Sequence, residues 1–395
     1  MNKFRDSPEN IRRRNLSRVL RTLHKEGARS RASLTEELGL NRSTIADLVG
    51  ELVRAELVFE VPPPADGRVG RPSPVVTPSP EVLCLAVNPE VDALELAAVS
   101  LDRTIRARER LEMDHLLEPA ECAALVAGTL GRWLAGPLRG ARVVGLGLAV
   151  PGLVRRRDGL VRTAPHLRWT DAPLRDLVAA STGLPVLVGN DASLGASAEH
   201  LFGAAAGIEN AVYLNGGASG IGGGIVINGA LVGGAGGYAG EFGQNQPSIA
   251  SPEDRRVAGG TLEDEVSRAR LLEALALARA DDQQLAEALA GPGGGAAAPE
   301  VARQRGILAA TLSNLVNVLN PDLLVLGGFL AVLADSPLPG LGLAELESLV
   351  RDRTMAAPGE DFRIAPAALA DDRLLIGAAE AAFEFLLEDP APQRA

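Results

Sequence analysis

Two acidic side chains stand where a folded chain could hold them against a small polar ligand. Asp191 follows Asn190 directly after an apolar run, and Glu241 nearly closes the glycine-rich run Tyr213–Gln244. Because glycine has no side chain, the backbone of such a run can approach a neighbouring group closely. A carboxylate can accept two hydroxyl hydrogen bonds at once. The pattern therefore indicates a pocket for a small ligand that carries hydroxyl groups.

Three apolar runs are predicted to be strands that position these side chains. They are Val143–Val150, Leu184–Gly189 and Asp322–Gly328. Helical segments alternate with them, as is typical of an α/β fold, and such folds bind ligands at the carboxyl ends of parallel strands. Within the glycine run, Ile225–Val232 carries Asn-Gly between two short apolar pieces, which predicts a β-hairpin.

Composition limits the class of protein. With 395 residues, of which 46% are hydrophobic, the chain can bury the cores of two or three domains. Its two cysteines, Cys84 and Cys122, lie far apart, which excludes a disulfide framework and favours a reducing compartment. No apolar run reaches the roughly 20 residues that span a bilayer, and the N-terminus has no signal-peptide pattern. We therefore expect a cytoplasmic protein with no membrane partner.

Charge is unevenly distributed along the chain. The whole sequence carries a net charge of −11, yet residues 1–80 hold 14 Lys and Arg against 10 Asp and Glu. A basic segment in front of an acidic body attracts nucleic acid at one end of the protein only.

Three helices are predicted in this basic segment. Gly27 ends the first helix, and Gly39 makes the turn between the second helix and the third, which Asn41 caps. The predicted buried positions are Ile11, Leu16, Val19, Leu20 and Leu23 in the first helix, and Ile45, Leu48, Val49 and Leu52 in the third, which runs from Arg42 to Ala55. Helix, glycine turn, helix is the helix-turn-helix arrangement, whose second helix enters the major groove by its N-terminal end.

The start of the third helix and the loop after it carry the predicted DNA contacts. Two strands, at 57–61 and 73–77, bound a loop with two arginines, which suits a wing that reaches phosphates or the minor groove. The predicted contact residues are Arg42, Ser43 and Thr44 on the helix and Arg68 and Arg71 in the loop. A small helical protein-interaction module is the alternative. Three helices, a wing and positive charge together favour a winged helix-turn-helix that binds operator DNA.

Several short motifs follow one another in a fixed order along the body. They are Gly147–Gly152, Leu167–Trp169, Asn190-Asp191, Ser219–Gly224, Ala239–Gly243, Asn320-Pro321 with Leu326–Gly328, and Leu375–Ala379. With these motifs the chain resembles the ROK family (repressors, open reading frames and sugar kinases) over nearly all of residues 8–388. The resemblance implies an α/β, two-lobed fold of the actin-like ATPase and sugar-kinase type. An N-terminal winged helix-turn-helix is the architecture of the family's repressor branch.

The resemblance gives roles to the residues of the predicted pocket. The aspartate at the position of Asp191 is the general base of the family's kinases, and the preceding asparagine, here Asn190, bonds the sugar. Glu241 and Glu263 are implied as acceptors of sugar hydroxyls, and Gln244, where the family usually has histidine, can still bind a hydroxyl. Taken alone, Asn190-Asp191 could be an Asx turn that ends a strand, and the two glutamates could be solvated surface residues.

No metal or cofactor is expected. In the family, the histidine that Gln244 replaces also ligates zinc, together with a following cysteine cluster. Residues 244–261 of this chain contain neither histidine nor cysteine. A structural zinc site needs four nitrogen or sulfur ligands, so we predict that this chain has none.

The segment Ala86–Ala93 bears on whether the chain is an enzyme. Active family members carry an aspartate, paired glycines and a threonine here, and these cradle phosphate. This chain has Asn88, Glu90, Val91 and Asp92 instead. Two carboxylates repel phosphate, and side chains obstruct its approach to the backbone. Since phosphoryl transfer depends on positioning and charge neutralisation, we predict no enzymatic activity and no catalytic residue.

We predict three regions and one function. The regions are a winged helix-turn-helix domain over 1–80, a first lobe over 81–195 and a second lobe over 196–395, whose C-terminal helix returns to the first lobe. The predicted function is a sugar-responsive transcriptional regulator of the repressor type, which binds operator DNA and a sugar or sugar derivative as a homodimer or higher homo-oligomer. The alternatives are an ATP-dependent sugar kinase with an appended DNA-binding arm, and a DNA-binding protein whose pocket binds no ligand.

Overall fold

The computed structural model describes residues 7–62, 73–217, 220–249 and 251–390. The chain divides into two compact units. The first unit comprises Met1–Val150, Gly159–Gly189 and Ala378–Ala395, and the second comprises Pro151–Asp158 and Asn190–Gly377.

Residues 7–78, which we call the arm, form three helices and a small sheet. Its elements are α1 (Pro8–Glu26), β1 (Arg29–Ser30), α2 (Arg31–Leu38), α3 (Arg42–Arg54), β2 (Val58–Val61) and β3 (Val75–Pro78). Strand β3 pairs antiparallel with both β1 and β2. Ser7, Ser30 and Asn41 each accept a backbone N–H bond three residues on, which explains where the three helices begin. Gly39 adopts a left-handed φ of 64° between α2 and α3.

The core of the arm follows the predicted pattern except at one residue. The four predicted positions of α3, Ile45, Leu48, Val49 and Leu52, are all buried. In α1, however, Ile11 is 41% exposed. It lies five residues before Leu16, which turns it about 140° away from the buried stripe at 100° per residue. The predicted wing residues Arg68 and Arg71 fall outside the described ranges.

The first unit continues into a five-stranded sheet of order β11-β7-β4-β5-β6. The elements between residues 82 and 190 are β4 (Val82–Pro89), β5 (Ala93–Ser100), β6 (Ile105–Glu112), α4 (Pro119–Ala135), β7 (Arg142–Val150), β8 (Leu153–Arg155), β9 (Leu160–Ala164), β10 (Trp169–Ala172), α5 (Leu174–Thr182) and β11 (Val186–Asn190). Of these, β8 belongs to the second unit. Strand β4 is buried along its whole length, pairs parallel with β7 and antiparallel with β5, and so forms the centre of the sheet.

The second unit contains a second five-stranded sheet, of order β14-β13-β12-β15-β16. The elements from here on are α6 (Asp191–Phe202), β12 (Ala211–Gly216), β13 (Ile221–Ile227), β14 (Ala230–Leu231), α7 (Leu262–Glu265), α8 (Arg268–Ala274), α9 (Asp282–Ala290), α10 (Gly294–Leu319), β15 (Leu323–Gly328), α11 (Phe329–Ala334), α12 (Leu343–Arg351), α13 (Ala356–Asp361), β16 (Arg363–Pro366) and α14 (Arg373–Glu388).

The two sheets share one topology. In each sheet, the strand that comes first in the sequence is central. The next two strands in the sequence lie on one side of it, and the last two lie on the other side. The predicted hairpin is confirmed in the second sheet, where Asn228 and Gly229 form the two-residue turn with φ of 51° and 73°. Strands β13 and β14 pair on either side of this turn. In the described part of the chain, every helix is too short or too polar to cross a bilayer.

Candidate functional site

The junction between β11 and α6 fixes the direction of Asn190 and Asp191. The Asn190 side chain caps α6 by accepting a hydrogen bond from the Ser193 backbone N–H (2.9 Å) and donates to the Gly152 carbonyl (3.0 Å). Asp191, the first residue of α6, accepts from the Ala192 backbone N–H (2.8 Å). Asn190 therefore does have the purely structural role that the sequence left open, that of a polar cap where a strand ends. The same cap holds the Asp191 carboxylate in place.

Burial shifts the protonation equilibrium of Asp191. It raises the pKa of the carboxyl group from its ordinary 3.8 to about 6, against the opposing effects of the Ala192 N–H and the positive charge of Arg373. A buried carboxylate loses hydration, which disfavours its charged form. Asp191 therefore changes its protonation state close to neutral pH.

Arg373 and Tyr213 lie close to Asp191, and sequence analysis did not identify either of them. Tyr213 is 3% exposed, and its hydroxyl donates to Asn215 Oδ1 (3.1 Å). Arg373 hydrogen-bonds the Tyr213 hydroxyl and acts electrostatically on Asp191. Its Nε atom is buried and has no acceptor within the described ranges. Arg373 lies two residues before the Leu375–Ala379 motif, and that position is the only sequence signal that could have identified it.

Glycines surround the carboxylate of Glu263. Its Oε2 accepts from the Ile221 backbone N–H (3.0 Å), and its Oε1 accepts from Gln244 Nε2 (2.5 Å). A Cβ atom on Gly220 or Gly243 would collide with this carboxylate. Those glycines are therefore required by the close approach of Glu263, which the glycine-rich pattern predicted only in general terms.

Glu241 completes a group of three carboxylates. It is half-buried and precedes the 3-10 turn Phe242–Gln244 without capping it. Burial, followed by the negative charges of Asp191 and Glu263, raises the pKa of Glu241. Among the residues that the structure describes, no group donates a hydrogen bond to the Glu241 side chain. The structure thus brings together all five predicted pocket residues and leaves one carboxylate in need of donors.

The segment after Gln244 is held by an ion pair and does not fit a zinc site. The carboxylate of Glu265 accepts from the backbone N–H groups of Arg256 and Val257 and from Arg303 (2.9 Å). Arg303 also donates to the Asp254 carbonyl (2.8 Å). Across the described residues, no group of three or more His, Cys, Asp or Glu side chains is placed to hold a metal ion.

The turn between β4 and β5 is paired with a cation on β6 that sequence analysis missed. Arg110 bonds Glu90 (2.6 Å) and Asp92 (3.3 Å), and the Asn88 side-chain amide donates to Glu90 (2.9 Å). The two carboxylates are therefore partly neutralised, so the repulsion argued from sequence is weaker than expected. Side chains nevertheless fill the turn.

The start of α3 presents a polar surface. Arg42 and Ser43 are exposed and Thr44 is half-buried. The Ser43 hydroxyl donates to Asn41 Oδ1 (2.7 Å), which also accepts from the Thr44 backbone N–H (2.8 Å). Further along α3, Glu51 forms an ion pair with Arg12 (2.5 Å), which offsets its negative charge.

Comparison with known proteins places the chain in a family. The model of the ROK family matches residues 84–384. The chain belongs to the ROK family. A xylose repressor of Caldicellulosiruptor bescii is 25% identical over 392 residues, an alignment that covers 91% of this chain and 92% of that protein.

Solved structures show the same fold. A ROK family transcriptional regulator, described as a homologue of the Escherichia coli Mlc protein, superposes with a TM-score of 0.76 at 22% identity and covers 96% of this chain and 97% of that one. A ROK glucokinase from Streptomyces griseus, in complex with glucose and AMPPNP, gives a TM-score of 0.58 at 23% identity and covers 76% of this chain and 99% of that one. At these identities the likeness concerns the fold, which is the α/β sugar-kinase type.

The raised pKa of Asp191 predicts a pH-dependent stability. Since the folded pKa of about 6 lies above the ordinary 3.8, the folded state holds its proton more tightly, and the associated stability is lost as the pH rises through 6. Between pH 5 and pH 8 this costs the wild type about 1.4 kcal/mol of unfolding free energy. Asp191→Asn avoids that cost, so chemical denaturation should show the variant gaining stability relative to wild type at pH 8.

Asp47→Asn, at an exposed position of α3, is the control and should show no such pH-dependent gain. A difference between wild type and Asp191→Asn that is equal at both pH values would contradict the assignment.

Proposed function

We propose that this protein is a sugar-responsive transcriptional regulator of the repressor type. The observation that carries the proposal is the Glu241 carboxylate, half-buried beside Asp191 and Glu263 and without a donor among the described residues. Burying a charged acceptor without hydrogen bonds is unfavourable. Neighbouring hydroxyl groups of a sugar would supply the donors, and Asn190 and Gln244 would add side-chain amides. We therefore propose that the ligand is a neutral pentose, hexose or derivative.

The arm is the proposed DNA-binding domain. Helices α2 and α3, separated by the left-handed Gly39, have the arrangement of a helix-turn-helix, and β2 and β3 would flank the wing. Arg42, Ser43 and Thr44 would contact DNA from the start of α3, with Arg68 and Arg71 on the wing. The alignment with the xylose repressor extends over 91% of this chain, which supports a shared domain organisation. We propose a homodimer that binds an inverted repeat.

We propose that the chain does not transfer phosphate. The turn that would cradle phosphate carries Glu90, Val91 and Asp92 in place of small residues, and Arg110 is already paired there. Phosphoryl transfer requires close backbone approach and an available cation. The full-length relative named above is a repressor, which favours a regulator over the sugar kinase that the glucokinase likeness would suggest.

Sugar binding should raise the thermal stability of the protein. In a thermal-shift screen that includes D-xylose and D-glucose, we expect at least one sugar to raise Tm, since a ligand at 100 times its Kd stabilises the folded state by about 2.7 kcal/mol. Glu241→Gln should lose most of the shift, because an amide oxygen accepts fewer hydroxyl bonds than a carboxylate. The control Glu253→Gln makes the same substitution at an exposed position and should keep the Tm shift. The sensor proposal fails if no sugar moves Tm.

DNA binding should depend on the start of α3. Arg42→Ala should weaken binding to a DNA fragment selected from the genome and lower the slope of log Kd against log salt by about 1, as expected for one lost phosphate contact. Arg139→Ala removes an exposed arginine of the body and should change neither quantity. Fluorescence anisotropy measures both. Equal affinity and slope in wild type and Arg42→Ala would count against the arm as the DNA-binding domain.

ATP turnover separates the regulator from the kinase. A coupled assay with ATP, magnesium and the same sugars should show no sugar-dependent release of ADP, because the phosphate turn is filled by side chains. The Streptomyces glucokinase with glucose is the positive control. Clear sugar-dependent turnover would overturn the regulator proposal in favour of the kinase.

A further inference from the structure

Helix α14 begins in the second unit and ends in the first. It runs from Arg373 to Glu388, and the division between the two units falls between Gly377 and Ala378. The first turns of α14 contact residues of the candidate sugar site, and its last half contacts α1 of the arm.

The first end of α14 rests on the helix that starts at Asp191. Arg373 faces Asp191 and Tyr213, as described above. Gly377 lies so close to the Leu194 carbonyl of α6 that a Cβ atom there would collide with it. A displacement of α6 or of Asp191 therefore acts directly on the start of α14.

Glu199 of α6 also contacts the segment that precedes α14. This side chain is 1% exposed and accepts from the backbone N–H groups of Ala368 (3.0 Å) and Leu369 (2.9 Å). Those two residues precede α14 by only a few positions. The same helix thus holds the chain just before α14 and, through Leu194 and Asp191, the first turns of α14 itself.

The last half of α14 rests on α1 of the arm. The Ser17 hydroxyl donates to the Leu387 carbonyl (2.5 Å), and Arg21 donates to both carboxylate oxygens of Glu384 through its two terminal guanidinium nitrogens. His24 bonds Glu380 (2.9 Å), and this pair is buried, at 3% and 8% side-chain exposure. Burial works against protonation, but the hydrogen bond and charge of Glu380 outweigh it and raise the pKa of His24.

The α1 contacts differ in what they contribute. Arg21 and Glu384 are both more than one-third exposed, and exposed pairs add little stability. A bidentate contact of this kind nevertheless fixes the rotation of α1 relative to α14. The buried His24–Glu380 pair anchors the interface, and the Arg21–Glu384 pair sets its register.

We propose that α14 transmits sugar binding at Asp191 to the DNA-binding arm, with Arg373 at the sugar end and the Arg21–Glu384 and His24–Glu380 pairs at the arm. The inference rests on the proposed function. A sugar that bonds Asp191 changes the balance of charge around Arg373, and α14 carries the resulting shift to α1. Such coupling is reciprocal, so DNA binding must alter sugar affinity by the same factor.

Glu384→Gln tests the arm end of α14 in the full-length protein. The measured quantity is the ratio of the Kd for the selected DNA fragment with and without saturating D-xylose or D-glucose. Wild type should show a ratio of about fivefold or more. In Glu384→Gln the ratio should move toward 1 by about 2-fold or more, while the sugar Kd by calorimetry stays at its wild-type value. Glu253→Gln makes the same charge change at an exposed position away from α14 and should keep the wild-type ratio.

A second measurement needs no ligand. Arg373→Gln should change hydrogen–deuterium exchange at the backbone amides of α1, whereas Arg363→Gln, an exposed arginine on β16, should not. If wild type shows no sugar effect on DNA binding, the proposed function fails, and exchange in α1 still decides the role of α14. Unchanged exchange in Arg373→Gln, or a wild-type ratio in Glu384→Gln, would overturn the proposal.

Discussion

Strand β13 and helix α6 approach each other so closely that one added methyl group would not fit between them. A Cβ atom on Gly222 would meet Ala192, and one on Gly224 would meet Ala196. On the other side of the strand, Gly223 lies against Phe242, the neighbour of Glu241. The elements that carry the carboxylates of the site are therefore held together by close backbone packing. This packing is possible because glycine has no side chain. A larger residue in β13 would displace α6 and the Glu241 turn together.

This packing explains why the site can hold so much negative charge. Two of its carboxyl groups have raised pKa values: burial raises the pKa of Asp191, and burial together with the negative charges of Asp191 and Glu263 raises that of Glu241. Asp191 has hydrogen-bond donors in Asn190 and Ala192, whereas Glu241 has none among the described residues, so the partial burial of Glu241 costs stability. This cost is compatible with a ligand-binding function, since a ligand with several hydroxyl groups would supply the missing hydrogen-bond donors. The free energy released on binding is then available to shift an equilibrium between two conformations.

Local signals predicted the local structure well. The cap at Asn41, the Asn228-Gly229 hairpin and the buried face of α3 follow from patterns of a few residues, and the structure confirms them. The five predicted pocket residues were chosen through the family resemblance, and the structure places them close together; their role in ligand binding stays a prediction. Arg373 and Arg110 were missed because each acts on residues distant in sequence, and no spacing rule connects them. Ile11 was grouped with the apolar residues of the first helix, but its spacing of five residues from Leu16 turns it away from their buried face.

The ion pairs around the β4–β5 turn make its residues depend on one another. If Glu90 and Val91 were replaced by a glycine pair, Arg110 would lose its shortest ion pair and the Asn88 amide would lose its acceptor. A phosphate-binding loop at this place would therefore require coordinated changes on β4, in the turn and on β6, because a single substitution would leave charged groups without partners.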